Sequence, residues 1–232
     1  SVVLCLSGPV SAASFDVNEI YLSNGMKVLH VERNNLPRVT MSILIKASPR
    51  DEVPSKAGLA WLTANLLTEG TTTKTGPDIS EEIDYLGASL GASVSADFTL
   101  FNYASLKKDL DAGLSIVSDI FMHPTFPEDE LIRKKTVVKG MLQQRQDDPQ
   151  YVAGKAFLRE VFGSDHPYGR PTEGSETSLD AITRTDIVAF FSQSYRPDNT
   201  VIAIVGDVSA PEARILLERY FGFPSATDLY IR

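Results

Sequence analysis

The stretch that decides the fold is Gly58–Thr71, which reads Gly-Leu-Ala-Trp-Leu-Thr-Ala-Asn-Leu-Leu-Thr-Glu-Gly-Thr. Its leucines at 59, 62 and 66 recur at helical spacing and predict one core-facing side of a helix. Trp61 and Asn65 are four residues apart, so they share a different side of that helix. The pattern therefore predicts two faces of the helix. The leucines form the packing face, and Trp61 and Asn65 lie on a second face where a functional site is expected.

This helix has the frame of an inverted zinc-protease motif, H-x-x-E-H. The two histidines of such a motif lie at i and i+4 and bind one zinc ion, while the glutamate activates the metal-bound water as general base. Here the three positions read Trp61, Ala64 and Asn65. An indole N–H only donates, a methyl group coordinates nothing, and a neutral amide oxygen is a weak ligand.

Other motifs surround this helix in a specific order. They are Asn24-Gly25, Arg50-Asp51-Glu52, Lys56–Ala60, Leu67–Thr71, Asp147-Asp148-Pro149, His166–Pro171, Tyr195–Asn199 and Val205-Gly206-Asp207. Together they resemble the insulinase/pitrilysin family of metallopeptidases, which includes the mitochondrial processing peptidases and their bacterial relatives. The resemblance implies an α+β fold, the family's α/β roll, with a mostly antiparallel sheet and helices packed on one face, over residues 15–222.

The resemblance also implies where further site residues fall. The family's third zinc ligand is a glutamate from a later helix, and the matching position here is Met141, whose thioether is a poor partner for Zn²⁺. We therefore expect no catalytic residues, no metal and no cofactor in this chain, with zinc only in a partner subunit. An edge strand that binds extended peptides by β-augmentation matches Gly91, Ala92 and Ser93, although family members often carry Asn where Gly91 stands.

Residues outside the motif offer no replacement site. The histidines are His30, His123 and His166, and no two have ligand spacing, so each is interpreted as a packing or capping residue. Trp61 has two interpretations: a large aromatic that fills the space of the metal and its water, which we favour, or an aromatic wall that contacts peptide in a retained cleft.

The remaining pattern predicts the order of elements. A hairpin is expected around Asn24-Gly25, a third strand at 39–47, a strand pair within 89–105 and a late strand at 200–205. Helices are expected from Pro54-Ser55 to Gly70, from Asp78 to about Gly87, and at 106–122, 128–145, 150–162, 184–195 and 210–221.

Composition limits the class of protein. The chain has 232 residues, of which 43% are hydrophobic and 22% charged, as in globular proteins with a sizeable core. Its net charge of −8 disfavours binding to nucleic acid, which requires a basic surface. The sequence contains no run of 18 apolar residues, so no membrane span is expected.

The two ends differ from the middle. Residues 1–13 read as the remnant of a signal peptide, with a small-residue cleavage site near Val10-Ser11-Ala12, which predicts export, in a bacterium to the periplasm. Cys5 is the only cysteine, so the mature chain would contain no thiol. Residues 223–232 are interpreted as the start of a linker to a second domain.

These features favour one function and leave two others open. The favoured function is that of a catalytically inactive subunit, which pairs with a zinc-bearing homologue to form a peptide-degrading or processing chamber for extended peptides; self-association is the other pairing considered. A structural or peptide-binding protein with no role in proteolysis is the main alternative. A zinc metallopeptidase with relocated ligands is the third.

Overall fold

A six-stranded sheet organises the described part of the chain. The computed structural model describes residues 16–222. The strands are β1 (Asn18–Tyr21), β2 (Lys27–Glu32), β3 (Arg38–Ile45), β4 (Ser89–Val94), β5 (Thr99–Leu106) and β6 (Thr200–Gly206), in the spatial order β1-β2-β6-β3-β5-β4. Every neighbouring pair is antiparallel except β2 and β6, which are parallel. The predicted α+β class with a mostly antiparallel sheet is confirmed.

The part of the chain that the structure describes also contains eight α-helices. They are α1 (Leu59–Leu66), α2 (Gly76–Tyr85), α3 (Leu110–Met122), α4 (Glu128–Arg145), α5 (Pro149–Phe162), α6 (Glu176–Ala181), α7 (Arg184–Ser194) and α8 (Ala210–Phe221). Alternate side chains of the strands, such as Met41 and Ile43, join one buried cluster with residues of these helices, such as Leu66 and Leu114. The core therefore lies between the sheet and helices packed on one face of it.

The first hairpin forms where the sequence predicts it. Gly25 has a φ of +83°, which its missing side chain permits, and β1 pairs with β2 in the register Ile20 opposite Val28. The Asn24 side chain donates a hydrogen bond to the carbonyl of Phe221, with 2.6 Å between Nδ2 and O. This bond fixes the hairpin turn against the end of α8.

Three predicted helix starts are wrong. Residues 54–56 form only a 3₁₀ turn, and α1 begins at Leu59 because Gly58 takes a φ of +98° that no helix can contain. The second helix begins at Gly76 rather than at Asp78, because Thr75 is its N-cap and Asp78 closes the capping box from the third position. The third begins at Leu110, since β5 continues to Leu106. Helix α6 was not predicted.

The predictions for the two ends of the chain lie outside the described residues. The signal-peptide remnant at 1–13 and the linker at 223–232 therefore stay predictions, as does the domain boundary at 15–222. Within residues 16–222, no helix has both the length and the apolar character needed to cross a membrane.

Candidate functional site

Helix α1 occupies a central position among the elements that carry the predicted site residues. It packs against α4, which contains Met141, against α7, and against the edge strand β4, which contains Gly91. The fold therefore brings together the helix with the altered zinc motif, the helix with the matching third-ligand position and the strand predicted to bind peptide.

The first turn of α1 is capped by a carboxylate from outside the helix. Glu52 accepts hydrogen bonds from the backbone N–H groups of Gly58 and Ala60, at 3.0 and 2.6 Å. Burial raises the pKa of Glu52 to about 7, against the opposing effect of these two donors and of the nearby Arg170 guanidinium. Free N–H groups at a helix start require such a partner, so Glu52 fixes the position at which α1 begins.

The 3₁₀ turn Leu67–Glu69, which directly follows α1, is tied to α4 by an ion-pair cluster. Glu69 lies 2.6 Å from the ammonium of Lys134 and 3.1 Å from the guanidinium of Arg133. Burial by itself would raise the pKa of Glu69, but the hydrogen bond and charge of Lys134, together with Arg133, lower it overall. This cluster holds α1 and α4 in a fixed relation, which a shared site on the two helices would require.

The four positions of the altered motif do not present a zinc-ligand set. Trp61 is half-buried and packs against the core, and Ala64 is fully buried. The amide of Asn65 donates to the carbonyl of Trp61, with 2.8 Å between Nδ2 and O. Met141 is half-buried against the same core. Indole, methyl, amide and thioether groups do not fit Zn²⁺, which prefers imidazole, thiolate and carboxylate.

The histidines lie apart and each has a local role. Buried His30 has its Nε2 2.7 Å from the carbonyl of Val208, and His123 Nδ1 is 2.9 Å from a carboxylate oxygen of Asp119. His166 accepts a hydrogen bond from the backbone of Tyr168. Across residues 16–222, no three His, Cys, Asp or Glu side chains gather as a metal site would require.

Strand β4 forms one edge of the sheet. Gly91 and Ser93 are exposed, whereas Ala92 between them is half-buried and packs against the core. A Cβ atom added at Gly91 would meet no atom within 4 Å. An edge strand has one row of backbone N–H and C=O groups that the sheet does not use, so β4 can accept an added strand.

Sequence reasoning missed the residues that position α1. The only sequence signal for the Glu52 cap is a carboxylate six residues before Gly58, which is weak. The Glu69–Lys134 pair joins residues far apart in the chain. Gly58 itself lies against the loop before α6, because an added Cβ would be 2.6 Å from the carbonyl oxygen of Glu173. These contacts become visible only in the folded chain.

Comparison with known proteins agrees with this architecture and defines the class. The model of the insulinase family, peptidase family M16, matches residues 27–176, and the model of the peptidase M16 inactive domain matches residues 181–228. The chain belongs to the insulinase family of peptidases.

Several relatives match this chain over part of their own length. It is 31% identical to an uncharacterized zinc protease of Mycobacterium leprae over 91% of this chain and 47% of that protein. It is 26% identical to an uncharacterized zinc protease of Rickettsia bellii, over 90% of this chain and 50% of that protein. The chain thus spans about half the length of the curated relatives it matches.

Solved structures share the fold. A peptidase M16 inactive domain from Pseudomonas fluorescens has a TM-score of 0.84 at 28% identity, over 88% of this chain and 50% of that one. The periplasmic protease PqqL from Escherichia coli has a TM-score of 0.83 at 19% identity, over 93% of this chain and 25% of that one. The second similarity shows the fold alone.

Proposed function

We propose that this chain is a catalytically inactive insulinase-family subunit, which pairs with a zinc-bearing homologue and forms one wall of a peptide-degrading or processing chamber. The observation that carries the proposal is the chemistry of α1. Its fully buried Ala64 stands where the general base would be, and neither Trp61 nor Asn65 supplies a ligand that zinc prefers. The match to a structure described as an inactive domain supports the same conclusion.

Activity on mixing tests the pairing. The purified chain is combined with a homologue that carries an intact H-x-x-E-H motif, and hydrolysis of a quenched fluorescent peptide is measured for each protein alone and for the mixture. We expect the chain alone to be inactive and the mixture to exceed the homologue alone. Two proteins that never associate, or activity that does not change on mixing, would contradict the pairing.

We further propose that β4 binds extended peptide along its free edge. N–H groups of successive residues in an antiparallel strand point to opposite sides, so of Gly91 and Ala92 one donates toward β5 and the other toward the open edge. Proline removes the N–H group at its own position. One of the variants Gly91→Pro and Ala92→Pro should therefore keep its thermal stability and lose peptide binding, while the other should lose stability.

Fluorescence anisotropy of a labelled extended peptide and thermal unfolding of both variants provide this measurement. If both variants bind the peptide as the unchanged chain does, the edge is not the binding site. If the chain binds peptide but never associates with a zinc-bearing homologue, the alternative of a peptide-binding protein without a role in proteolysis is favoured.

Export is also a proposal. It is supported by the apolar stretch and small-residue site in residues 1–13, and the similar fold of PqqL belongs to a protein described as periplasmic. Expression of the gene with its natural start, followed by fractionation and N-terminal sequencing, tests it. A mature protein that begins close to residue 13 and lies outside the cytoplasm is expected, and a cytoplasmic protein that retains these residues would contradict export.

A further inference from the structure

The carboxyl group of Glu52 is buried without a cation bonded to it. Glu52 is 8% exposed, and its two oxygens accept hydrogen bonds from the backbone N–H groups of Gly58 and Ala60, which are neutral donors. Glu52 takes part in none of the ion pairs within residues 16–222. Burial without a bonded positive charge disfavours a carboxylate, so this environment suits the neutral form of the group.

A guanidinium group with unused donors lies near this carboxyl group. Arg170 directly follows the 3₁₀ turn Pro167–Gly169, close enough for its charge to act on Glu52. Its Nε and Nη1 atoms are shielded from solvent and have no acceptor within residues 16–222. Its Nη2 atom lies 3.5 Å from the carbonyl oxygen of Pro49, which is long for a hydrogen bond. Arg170 is therefore able to bond a negative charge at Glu52 without giving up a strong bond elsewhere.

The two groups lie where the start of α1 contacts the loop before α6. The backbones approach closely there, because a Cβ atom added at Gly174 would be 2.1 Å from the carbonyl oxygen of Ala57. The hydroxyl of Ser178 donates to the same carbonyl, with 2.7 Å between Oγ and O. A change in the bonding of Glu52 therefore acts on the contact between the first turn of α1 and residues 170–178.

We propose that Glu52 and Arg170 form a proton-operated switch at the start of α1. In the closed arrangement described above, Glu52 carries a proton and caps α1, and Arg170 is not bonded to it. Loss of that proton to solvent leaves a buried negative charge, and the carboxylate turns toward the guanidinium of Arg170. This movement removes the acceptor from Gly58 and Ala60, so the first turn of α1 opens more often. The inference goes beyond the proposed function, since it requires neither zinc nor a partner subunit nor a peptide.

The surrounding charges set the pH range of the switch. Burial is the largest effect and raises the pKa of Glu52 to about 7; Arg170 and the two N–H groups oppose this rise, and Asp51 adds to it. The first turn of α1 has no charged side chain, and Glu173, from the loop before α6, is paired with Arg145. Because the pKa of Glu52 in the closed state is above its ordinary value, the proton stabilises that state fully below the ordinary value. This stabilisation is lost as the pH rises to about 7.

Amide hydrogen exchange at a series of pH values tests the opening. After correction for the intrinsic exchange rate, we expect the protection of residues 58–62 to fall about tenfold between about pH 6 and about pH 8, since the open state has the ordinary carboxyl pKa. Glu52→Gln imitates the protonated group and should keep this protection constant. Glu81→Gln is the matched control, because Glu81 is exposed on α2, and it should behave as the unchanged chain does. Protection in the unchanged chain that does not depend on pH, or that depends on it equally in Glu52→Gln, would overturn the switch.

Carboxyl-carbon NMR of the chain labelled in its glutamates tests the role of Arg170 without a change at Glu52. We expect a glutamate signal that titrates near pH 7, with a midpoint that moves to higher pH in Arg170→Gln, because the guanidinium favours the charged form. Arg214→Gln is the control, since Arg214 is exposed on α8, and it should leave the midpoint unchanged. The absence of any glutamate signal that titrates above about pH 6, or a midpoint that Arg170→Gln does not move, would overturn the inference.

Discussion

Trp61 is the residue at which the chemistry of the predicted site is decided. The sequence predicts the motif's first histidine position here, and the Trp61 side chain is half-buried against the core formed by α1 and its neighbours. An indole in this position adds apolar contact and removes an imidazole ligand. The loss of unfolding free energy when Trp61 is replaced distinguishes a packing role from a role in peptide contact.

If Trp61 fills the former metal space, Trp61→Ala should lower the free energy of unfolding by about 2–3 kcal/mol through lost burial and an unfilled cavity. Urea unfolding measures the change. Tyr85→Ala is the control, since Tyr85 is 90% exposed, and it should change stability by less than about 0.5 kcal/mol. Effects of equal size would favour the aromatic-wall interpretation instead.

Glu69 makes the junction of α1 and α4 sensitive to pH. Its pKa is lower in the folded chain than its ordinary value, so its ion pairs stabilise the fold above that ordinary value, and this stabilisation is lost as the pH falls through the folded pKa. Glu69→Gln should cost about 1 kcal/mol at pH 7, because Lys134 loses this carboxylate partner and Arg133 keeps only its pair with Glu130. The cost should vanish at low pH.

Unfolding of the Glu69→Gln and unchanged proteins at pH 7 and over a series of falling pH values below the ordinary carboxyl pKa provides the test. Glu81→Gln is the control, because Glu81 is exposed on α2 and should change little at either pH. A difference between Glu69→Gln and the unchanged protein that is independent of pH would show that the carboxylate charge is not what joins the two helices.

At the scale of elements, the start of α1 depends on backbone geometry and a distant contact. Gly58 has a φ of +98° and lies against the carbonyl of Glu173, so Gly58→Ala meets both strain and a clash. We expect it to lower the free energy of unfolding by at least about 2 kcal/mol. Gly91→Ala is the matched control, because an added methyl there meets open space, and it should be close to neutral. Similar unfolding midpoints for the two variants would contradict this role of Gly58.

The same elements show what the sequence could and could not predict. The β1–β2 hairpin was predictable because Asn24-Gly25 encodes its turn locally. The motif frame on α1 was predictable because its three positions have a fixed spacing. The insertion of β6 between β2 and β3 was not predictable, since strand pairing across about 170 residues leaves no local signal. The Glu69–Lys134 pair was missed because its residues are far apart in the chain, and the Glu52 cap because a single carboxylate several residues before a helix is no specific signal.

At the scale of the whole molecule, residues 16–222 form an α+β scaffold of the insulinase family, and the chain spans about half the length of its curated relatives. The scaffold keeps α1, α4 and β4 together, although Trp61, Ala64, Asn65 and Met141, at the predicted motif positions, offer no group that zinc prefers. Under the proposed function, this arrangement is sufficient without ligands, since a partner subunit would need the wall of the chamber and not a second metal site.

The zinc content of the purified chain tests this account most directly. The chain is incubated with excess Zn²⁺ and passed through a desalting column. Elemental mass spectrometry then gives the zinc concentration, which is divided by the protein concentration. Because the α1 and α4 positions supply no imidazole or carboxylate ligand, the account predicts far less than one zinc ion per chain. One tightly bound zinc ion per chain would contradict it and would support a metallopeptidase with relocated ligands.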